Sequence, residues 1–490
     1  MIQQEHKKPE NHPTPLSLVS AALTRPKFFA PRPTLSNKTV FSAFSVTILL
    51  LCQLITLHAH AHAHANVSVK EAMRLKQDLT PLGAERAGNK SESIPRWTTD
   101  KMTWKEHKTW VQSIQKEAPL YHITPRNYKK FQRLLSKGQI EMLKAYPDTF
   151  TIPVYPSHRT AKIPEWLYEN AFKNALDAEA TNSGEEISNT WAGLPFPIPG
   201  SAKEVMWNHQ LRWKGISFNL KTLEATINRN GRYRVIENTV DVYSIFHDPN
   251  RNRTIDDWRY IFYLSYITSP SKLAGGAYLT HESINPLSKP RQSWMYIAGQ
   301  RRLRRSPVMG YDAPTFTSDG LRMMDEIDMY NGAMDRYNWR LLGKREMVIP
   351  YNNDKLQAAL QDKASLFTAN HLNPEFTRFE KHRVWVVEAT LKAGKKHLYN
   401  KRVFYVDEDT WSVAMIDIYR NPTDFWRTSF RYSVYYDQMP GVLSAADAHH
   451  DLEERMYYVQ GLRLKDATFS TTPPPVSYFM PGNIRQRLIR

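Results

Sequence analysis

The chain has 490 residues, 41% of them hydrophobic and 12% aromatic, which is enough for one large domain or two ordinary ones with a substantial core. Its single cysteine excludes a disulfide framework and a metal site built from several thiolates. The formal net charge of +18 suits nucleic acid, an anionic lipid surface or an acidic partner, or serves only for solubility.

Residues 1–65 have the three parts of a secretory signal. A polar, basic segment ends at Lys38, residues 39–57 carry no charge, and alternating histidine and alanine follow. This order predicts a cleaved signal peptide; the alternative is an uncleaved membrane anchor. Cleavage in the alanine-rich stretch that ends at Ala65 would remove Cys52 and the histidine repeat.

Export changes the interpretation of the positive charge. An exported protein does not meet nucleic acid, so we expect none as a partner. Anionic membrane surfaces remain, and each basic residue near one contributes about 1 kcal/mol. We therefore expect a periplasmic protein that associates with the outer membrane or with an inner-membrane transporter.

Residues 66–200 are predicted to form a helical N-terminal extension. Apolar residues recur at helical spacing in residues 69–75, 125–145 and 164–180. The segment GLPFPIPG at 193–200 can continue neither a helix nor a central strand, so it predicts a rigid loop.

Residues 201–465 open with a predicted helix at 203–214 and then change to period-2 alternation, most clearly in 257–267 and 424–436. The same pattern predicts strands at 233–246, 276–283, 293–298, 300–305, 340–349, 382–391, 401–406, 412–420 and 455–462. Turn residues at 393–396 and 407–410 indicate hairpins. Short connections and one apolar face per strand predict an antiparallel meander that curls into a barrel or half-barrel.

Two insertions interrupt the predicted strands. Residues 307–338 are rich in turn residues, with a predicted helical centre at 321–330. Residues 350–370 contain a second helical candidate at 354–367. We expect both insertions to cover the open side of the sheet, and residues 466–490 to form a Pro-rich basic tail.

Several stretches in order carry a resemblance to a known family. They are DLTPLGAERAGNKSESIPRWT, GLPFPIPGSAKEVMWNHQLRW, KPRQSWMYIAGQRRLRRSP, YDAPTFTSDGLRMMDEIDMYNGAMDRYNWRLLGKREMVIPYNN and HRVWVVEATLKAGKKHLYNKRVFYVDEDTWSVAMIDIYR. Over about 70–462 the chain resembles the outer-membrane lipoprotein-sorting-like proteins of Gram-negative bacteria, which are related in fold to the carriers LolA and LolB. The resemblance implies an α+β fold, mainly antiparallel β, in which helices close a curved half-barrel over an apolar cavity.

Aromatic and apolar residues at alternating strand positions are the candidate cavity wall. The candidates are Trp258, Tyr260, Phe262, Leu264, Trp294, Tyr296, Trp385, Trp426, Phe430 and Tyr432. The alternative is an ordinary packed core. An incompletely closed barrel leaves room for a guest, and an acyl chain of about 14 methylenes would gain roughly 11 kcal/mol before binding costs.

A basic strand is the second candidate site. Arg301, Arg302, Arg304 and Arg305 surround one leucine. Arginine forks bind phosphate in a bidentate manner, so the strand is a candidate contact for a lipid head group or a partner protein. The alternatives are ion pairs with the acidic insertion and a charged, solvated edge strand.

Motifs for catalysis are missing from the sequence, which contains no nucleophile elbow, Walker loop, zinc-binding helix signature or dinucleotide fingerprint. Asp325, Glu326 and Asp328 could do acid–base work or hold a divalent cation. The interpretation we favour is a solvated helix face near Arg322 and Arg336. We expect no catalytic residue, no metal and no cofactor.

Three functions remain open from the sequence. The leading prediction is a periplasmic carrier or chaperone that binds a lipid, an acylated protein or another hydrophobic compound. The second is a non-catalytic adaptor that docks to an envelope transporter through the basic strand. The third is a hydrolase that uses the acidic cluster.

Overall fold

The computed structural model describes residues 67–251, 258–300, 302–305, 311–465 and 467–488, with side chains described up to residue 484. The predicted signal peptide, its cleavage stretch and Arg301 lie outside the described residues. The described residues all belong to one compact unit. The domain boundaries drawn from the sequence stay a prediction.

Several helices begin at residues whose side chains cap them. Thr103 with Glu106 and Ser136 with Gln139 form capping boxes that satisfy the first backbone N–H groups. The α-helices are α1 (Val69–Ala72), α2 (Trp104–Ile114), α3 (Lys137–Ala145), α4 (Glu165–Asp177), α5 (Ala202–Leu211), α6 (Asp354–Ala359), α7 (Lys363–Leu366) and α8 (Pro481–Leu488). In the described part of the chain, no helix is both long and apolar enough to cross a membrane.

Most strands follow the predicted alternation. The strands are β1 (Tyr121–Ile123), β2 (Ile152–Val154), β3 (Glu179–Thr181), β4 (Glu186–Ser188), β5 (Ser217–Ile227), β6 (Tyr233–Tyr243), β7 (Arg259–Ser269), β8 (Ala277–Ser283), β9 (Gln292–Ile297), β10 (Arg302–Arg305), β11 (Tyr337–Pro350), β12 (Phe379–Leu391), β13 (Lys401–Asp407), β14 (Val413–Tyr419), β15 (Phe425–Tyr436), β16 (Gly441–Asp451), β17 (Met456–Arg463) and β18 (Thr468–Ser470).

One large sheet contains 16 of these strands. From β12 its order is β13, β14, β15, β16, β17, β5, β6, β7, β8, β9 and β10, while β11 pairs with the other side of β12. Every extended pairing is antiparallel, and one parallel contact joins Val154 to Phe379. The described strands do not close into a barrel. The prediction of an α+β protein with a large, mainly antiparallel sheet is confirmed.

The register assigns alternate residues to two faces of the sheet. We call one of them the lid face; it carries Arg402, Arg431, Tyr458, Tyr263 and Met295, as the direct pairings across neighbouring strands indicate. We call the opposite side the helix face. There, side chains of α3 and α6 pack in one core with β15, and α8 packs in another with β7 and β8.

Two helical predictions need correction. Residues 125–145 form a 3-10 helix, Tyr128–Leu134, followed by the separately capped α3, because Ser136 takes up a non-helical N-cap conformation. Residues 321–330 contain only the 3-10 turn Met324–Glu326. Asp328 has a φ of 59° just beyond it, which a continuous helix does not allow.

Candidate functional site

A loop segment, which we call the lid (residues 311–336), lies between β10 and β11. Its N-terminal part folds back on itself, since the Thr315 N–H donates to the Arg322 carbonyl at 2.9 Å and the Met324 N–H donates to the Ala313 carbonyl at 2.8 Å. We call residues 314–320 the tip of the lid and residues 325–328 its anchor.

Asp328 ties the anchor to the sheet and to the chain after α5. Its carboxylate lies 2.6 Å from Arg212, 2.8 Å from Lys214 and 2.7 Å from Arg431. Burial works to raise the pKa of Asp328, but the three cations outweigh it and hold that pKa well below its usual range. This carboxylate therefore stays charged and holds the lid.

Asp325 and Glu326 complete the anchor. Asp325 lies 2.8 Å from Arg402 and 3.2 Å from His397, and Glu326 accepts a hydrogen bond from the Tyr399 hydroxyl at 2.9 Å. Burial raises the pKa of Glu326, with the neighbouring Asp325 as the next cause.

The predicted solvated helix face is therefore wrong. Asp325 is 3% exposed and Glu326 is 0% exposed. The basic residues that face these carboxylates come from distant strands and loops. Of the two neighbours named from the sequence, Arg336 pairs with Asp312 instead, at 3.7 Å.

A cavity of about 280 Å³ lies between the lid face and the lid. Its lining comes from β5, β6, β7, β8, β9 and β17 together with residues 315–327. These are six neighbouring strands of the sheet. The lining residues are Glu224, Asn238, Tyr263, Ser265, Ile267, Lys272, Leu273, Gly276, Ala277, Tyr278, Met295, Tyr296, Ile297, Ala298, Gly299, Thr315, Phe316, Thr317, Arg322, Met324, Ile327 and Gln460.

The two ends of this cavity differ in polarity and exposure. Lys272 and Gly299 are exposed, and Phe316 in the tip is 65% exposed, so the cavity meets solvent there. We call this end the mouth. The lining also includes two buried polar residues, Asn238 and Arg322, and we call the part of the cavity around Arg322 the buried end. The apolar middle is formed by β7, β8, β9 and the lid.

Arg322 dominates the buried end. Its Nε donates to the Thr315 hydroxyl at 3.3 Å, and its guanidinium lies 5.1 Å from the centre of the Tyr458 ring. Burial acts to lower the pKa of Arg322, but Tyr458 and Glu224 raise it above the ordinary value. The Tyr458 hydroxyl also donates to Glu224, which therefore already has a hydrogen-bond donor.

The predicted cavity wall is divided among several regions. Only Tyr296 lines the cavity described above. Phe262, Leu264 and Trp294 pack with α8 on the helix face, and Phe430 and Tyr432 pack in the core that contains α3. The remaining aromatic candidates lie in or against the core that contains α5, or beside Arg259; they are Tyr260, Trp385, Trp426 and Trp258. Ligand contact at these residues stays a prediction.

Sequence reasoning missed the residues that alternate with the aromatic set. On β7, Tyr263 and Ser265 line the cavity, whereas Phe262 and Leu264 point to the helix face. The available signal was the second, more polar face of the same strand. The prediction from the sequence assigns the cavity to the more aromatic face instead.

The basic strand forms the edge of the sheet. Arg302 pairs with Ile297 and Arg304 with Met295, so both arginines share the face of two cavity-lining residues. Arg305 pairs with Trp294 and belongs to the helix face. All three described arginines are exposed.

A separate buried cluster has the composition of a metal site. His382, Asp407 and Asp409 offer ligand atoms that lie within 4.8 Å of one another. However, the Arg159 guanidinium donates to both oxygens of Asp409, at 2.6 and 2.8 Å, and one Asp407 oxygen accepts from Thr410. A cation already bound to Asp409 favours an ion-pair network here over a metal centre.

The sequence is similar to one family and to one curated protein. The family model described as protein of unknown function (DUF1329) matches residues 122–485. An uncharacterised protein of Pseudomonas aeruginosa is 39% identical over 437 residues, which cover 86% of this chain and 94% of that protein.

Three solved structures are similar to between 55% and 58% of this chain. A DUF1329 family protein from Desulfovibrio piger is 15% identical, with a TM-score of 0.39, and the match covers 55% of this chain and 92% of that one. A domain described as an outer membrane lipoprotein-sorting protein, from Vibrio parahaemolyticus, is 13% identical, with a TM-score of 0.40 and coverage of 58% and 97%. A LolA superfamily protein from Nitrosomonas europaea is 13% identical, with a TM-score of 0.34 and coverage of 58% and 98%.

Proposed function

This chain belongs to the DUF1329 family, and we propose that it is a periplasmic carrier that binds one hydrophobic compound in the cavity beneath its lid. The observation that carries the proposal is the cavity itself, with an apolar middle, an exposed mouth and a lid held by buried ion pairs. Such a site can shield an apolar guest from water without covalent chemistry.

The energetics fit a carrier. Burying methylenes in the apolar middle gains about 0.8 kcal/mol each, so a chain of about 14 gains roughly 11 kcal/mol in gross terms. The loss of translational and rotational freedom of the ligand and the ordering of side chains reduce this binding free energy by several kcal/mol. The net affinity is then high enough to hold the guest in water and low enough to release it.

The acidic cluster supports a non-catalytic role. A hydrolytic carboxylate needs access to substrate and to water. Asp325 and Asp328 are instead bound by cations, and Glu326 accepts from Tyr399. Export to the periplasm is proposed from the sequence of residues 1–65 alone.

Cavity filling tests the proposal. In Ser265→Trp a large side chain enters the lining, whereas Ser113→Trp adds the same side chain at an exposed position of α2. Delipidated wild-type protein and the Ser113 variant should bind a fluorescent fatty-acid probe, and the Ser265 variant should not, with circular dichroism confirming that all three are folded. No probe binding by the wild type, or equal binding by all three, would overturn the proposal.

A docking role is the second candidate, and the exposed edge strand β10 favours it. An adaptor would use Arg302, Arg304 and Arg305 to contact an acidic or phosphate-bearing partner. It should co-purify with an envelope complex even when Ser265→Trp fills the cavity. A carrier should lose its ligand in that variant.

A further inference from the structure

We propose that the cavity takes a single-chain amphiphile whose carboxylate is bound at the buried end by Arg322 and Asn238, with its chain directed toward the mouth. This inference rests on the proposed function and names the class of ligand. It places the polar group deep inside the protein and the end of the chain near β9.

Arg322 is the main reason for a carboxylate. It is 5% exposed, it lines the cavity, and its Nη1 has no hydrogen-bond partner among the described residues. A buried guanidinium with an unused N–H is unfavourable unless another group accepts from it. A ligand oxygen beneath the lid would supply that acceptor.

Asn238 provides a second donor in the same cavity. It is 2% exposed, it lines the cavity from β6, and its Nδ2 has no partner within the described part of the chain. Two unused N–H donors beside one cavity match the two oxygens of a carboxylate. Glu224 also lines the cavity and accepts the Tyr458 hydroxyl with one of its oxygens. The two unused N–H donors require an acceptor, which a cationic head group cannot supply.

The size and the mouth narrow the ligand further. A volume of about 280 Å³ is at the low end for ligand pockets, which favours one chain over a two-chain lipid. Lys272 lines the mouth, and Arg302 and Arg304 project from the same face on the adjacent edge strand. Exposed cations there would attract an anionic amphiphile before it enters.

Chain-matched ligands test the head group. The predicted mature chain, which begins after Ala65, would be purified and delipidated. It would then be titrated in a calorimeter with tetradecanoate, tetradecanol, tetradecyl phosphate and tetradecyltrimethylammonium. Tetradecanoate should bind about ten- to a hundredfold more tightly than tetradecanol, since a charge-assisted hydrogen bond distinguishes them.

Variants then assign the selectivity to residues. Arg322→Gln should lower tetradecanoate affinity to that of tetradecanol while leaving the alcohol nearly unchanged. Asn238→Leu should lower tetradecanoate affinity less than Arg322→Gln does. It tests the same site if the Arg322 variant does not fold. Arg340→Gln changes the same residue type on the surface, where Arg340 is 68% exposed in its pair with Glu388, and should have no effect.

The outcomes separate the two proposals. If the wild type binds none of the four ligands, the carrier function itself fails. If it binds acid and alcohol equally, prefers the phosphate or the ammonium compound, or loses acid and alcohol in parallel in the variants, the carrier function stands and the carboxylate site is overturned.

Discussion

The tip and the anchor of the lid are only a few residues apart but are held in different ways. The anchor places Asp325 and Asp328 in ion pairs with buried arginines. The tip has one salt bridge, Asp319 with Arg234, whose side chains are 49% and 42% exposed, and the Arg427 guanidinium donates to the Gly320 carbonyl at 2.9 Å. Exposed pairs contribute about 0–1 kcal/mol, and removing one partner of a buried pair costs about 3–5 kcal/mol.

This difference suggests a division of labour. The anchor fixes the lid over the lid face and keeps the buried end of the cavity closed. The tip carries the 65% exposed Phe316 at the mouth, and its salt bridge is exposed as well, so local opening around Phe316 is the route of lower free energy for a ligand.

The largest effect is expected at the anchor. Asp328→Asn leaves Arg212, Lys214 and Arg431 without their shared anion, and should lower the free energy of unfolding by about 3–5 kcal/mol. Asp319→Asn in the tip is the matched control and should lower it by less than about 1 kcal/mol. Chemical denaturation measures both; equal losses would remove the distinction between tip and anchor.

The pH dependence of that loss has a definite sign. Because the folded pKa of Asp328 is held below its ordinary value, its stabilisation is present above the unfolded pKa of about 3.9 and disappears as pH falls through the folded pKa. The difference between wild type and Asp328→Asn should thus be constant at neutral pH and shrink only below about pH 4. A difference that shrinks already near neutral pH would contradict the assignment.

The two faces of β7 offer the next comparison. Phe262 is 0% exposed on the helix face, so Phe262→Ala should cost about 3–5 kcal/mol of stability while the remaining folded protein keeps its affinity for the probe. Tyr263→Ala, one residue along and in the cavity lining, should reduce affinity about fivefold. Chemical denaturation measures the stability of both variants, and probe titration measures their affinity. A loss of affinity in Phe262→Ala but not in Tyr263→Ala would place the ligand on the helix face.

This alternation also explains which features could be predicted from the sequence. Period 2 located β7 and β15 within a few residues, because each has one strongly apolar face. It could not identify the cavity, since both faces of this sheet are covered and the more aromatic face packs against α8. That choice depends on which elements fold over each face.

The conformation of the lid is harder to predict from the sequence for a similar reason. Residues 321–330 have helical spacing, but ion pairs to residues more than a hundred positions away determine their conformation; Asp328 and Arg212 are separated by 116 positions. Local periodicity contains no information about such partners. The strand at 441–451 was also not predicted, because it is rich in small residues such as Ala445 and Ala446 and its apolar residues do not alternate strongly with polar ones.

A substitution in the tip should lower stability less than Phe262→Ala does and lower affinity no more than Tyr263→Ala does. Phe316→Ser changes a side chain that is 65% exposed, so stability should change by less than about 0.5 kcal/mol. Affinity for the probe should fall about three- to fivefold, because Phe316 also lines the cavity. Unchanged affinity would mean that the ligand does not reach the mouth.

The smallest effect is expected at the edge strand, where the comparison is between the two faces of β10. Arg302→Gln with Arg304→Gln removes two charges from the face of the cavity-lining Met295 and Ile297, whereas Arg305→Gln removes one from the opposite face. The double variant should slow association of an anionic amphiphile by a few-fold at low salt and leave dissociation unchanged, because exposed charges act on encounter rather than on the bound state. The Arg305 variant should match the wild type, and both differences should vanish at high salt. Stopped-flow binding at two ionic strengths measures this; a faster dissociation in the double variant would instead place Arg302 and Arg304 in contact with the bound ligand and the head group at the mouth.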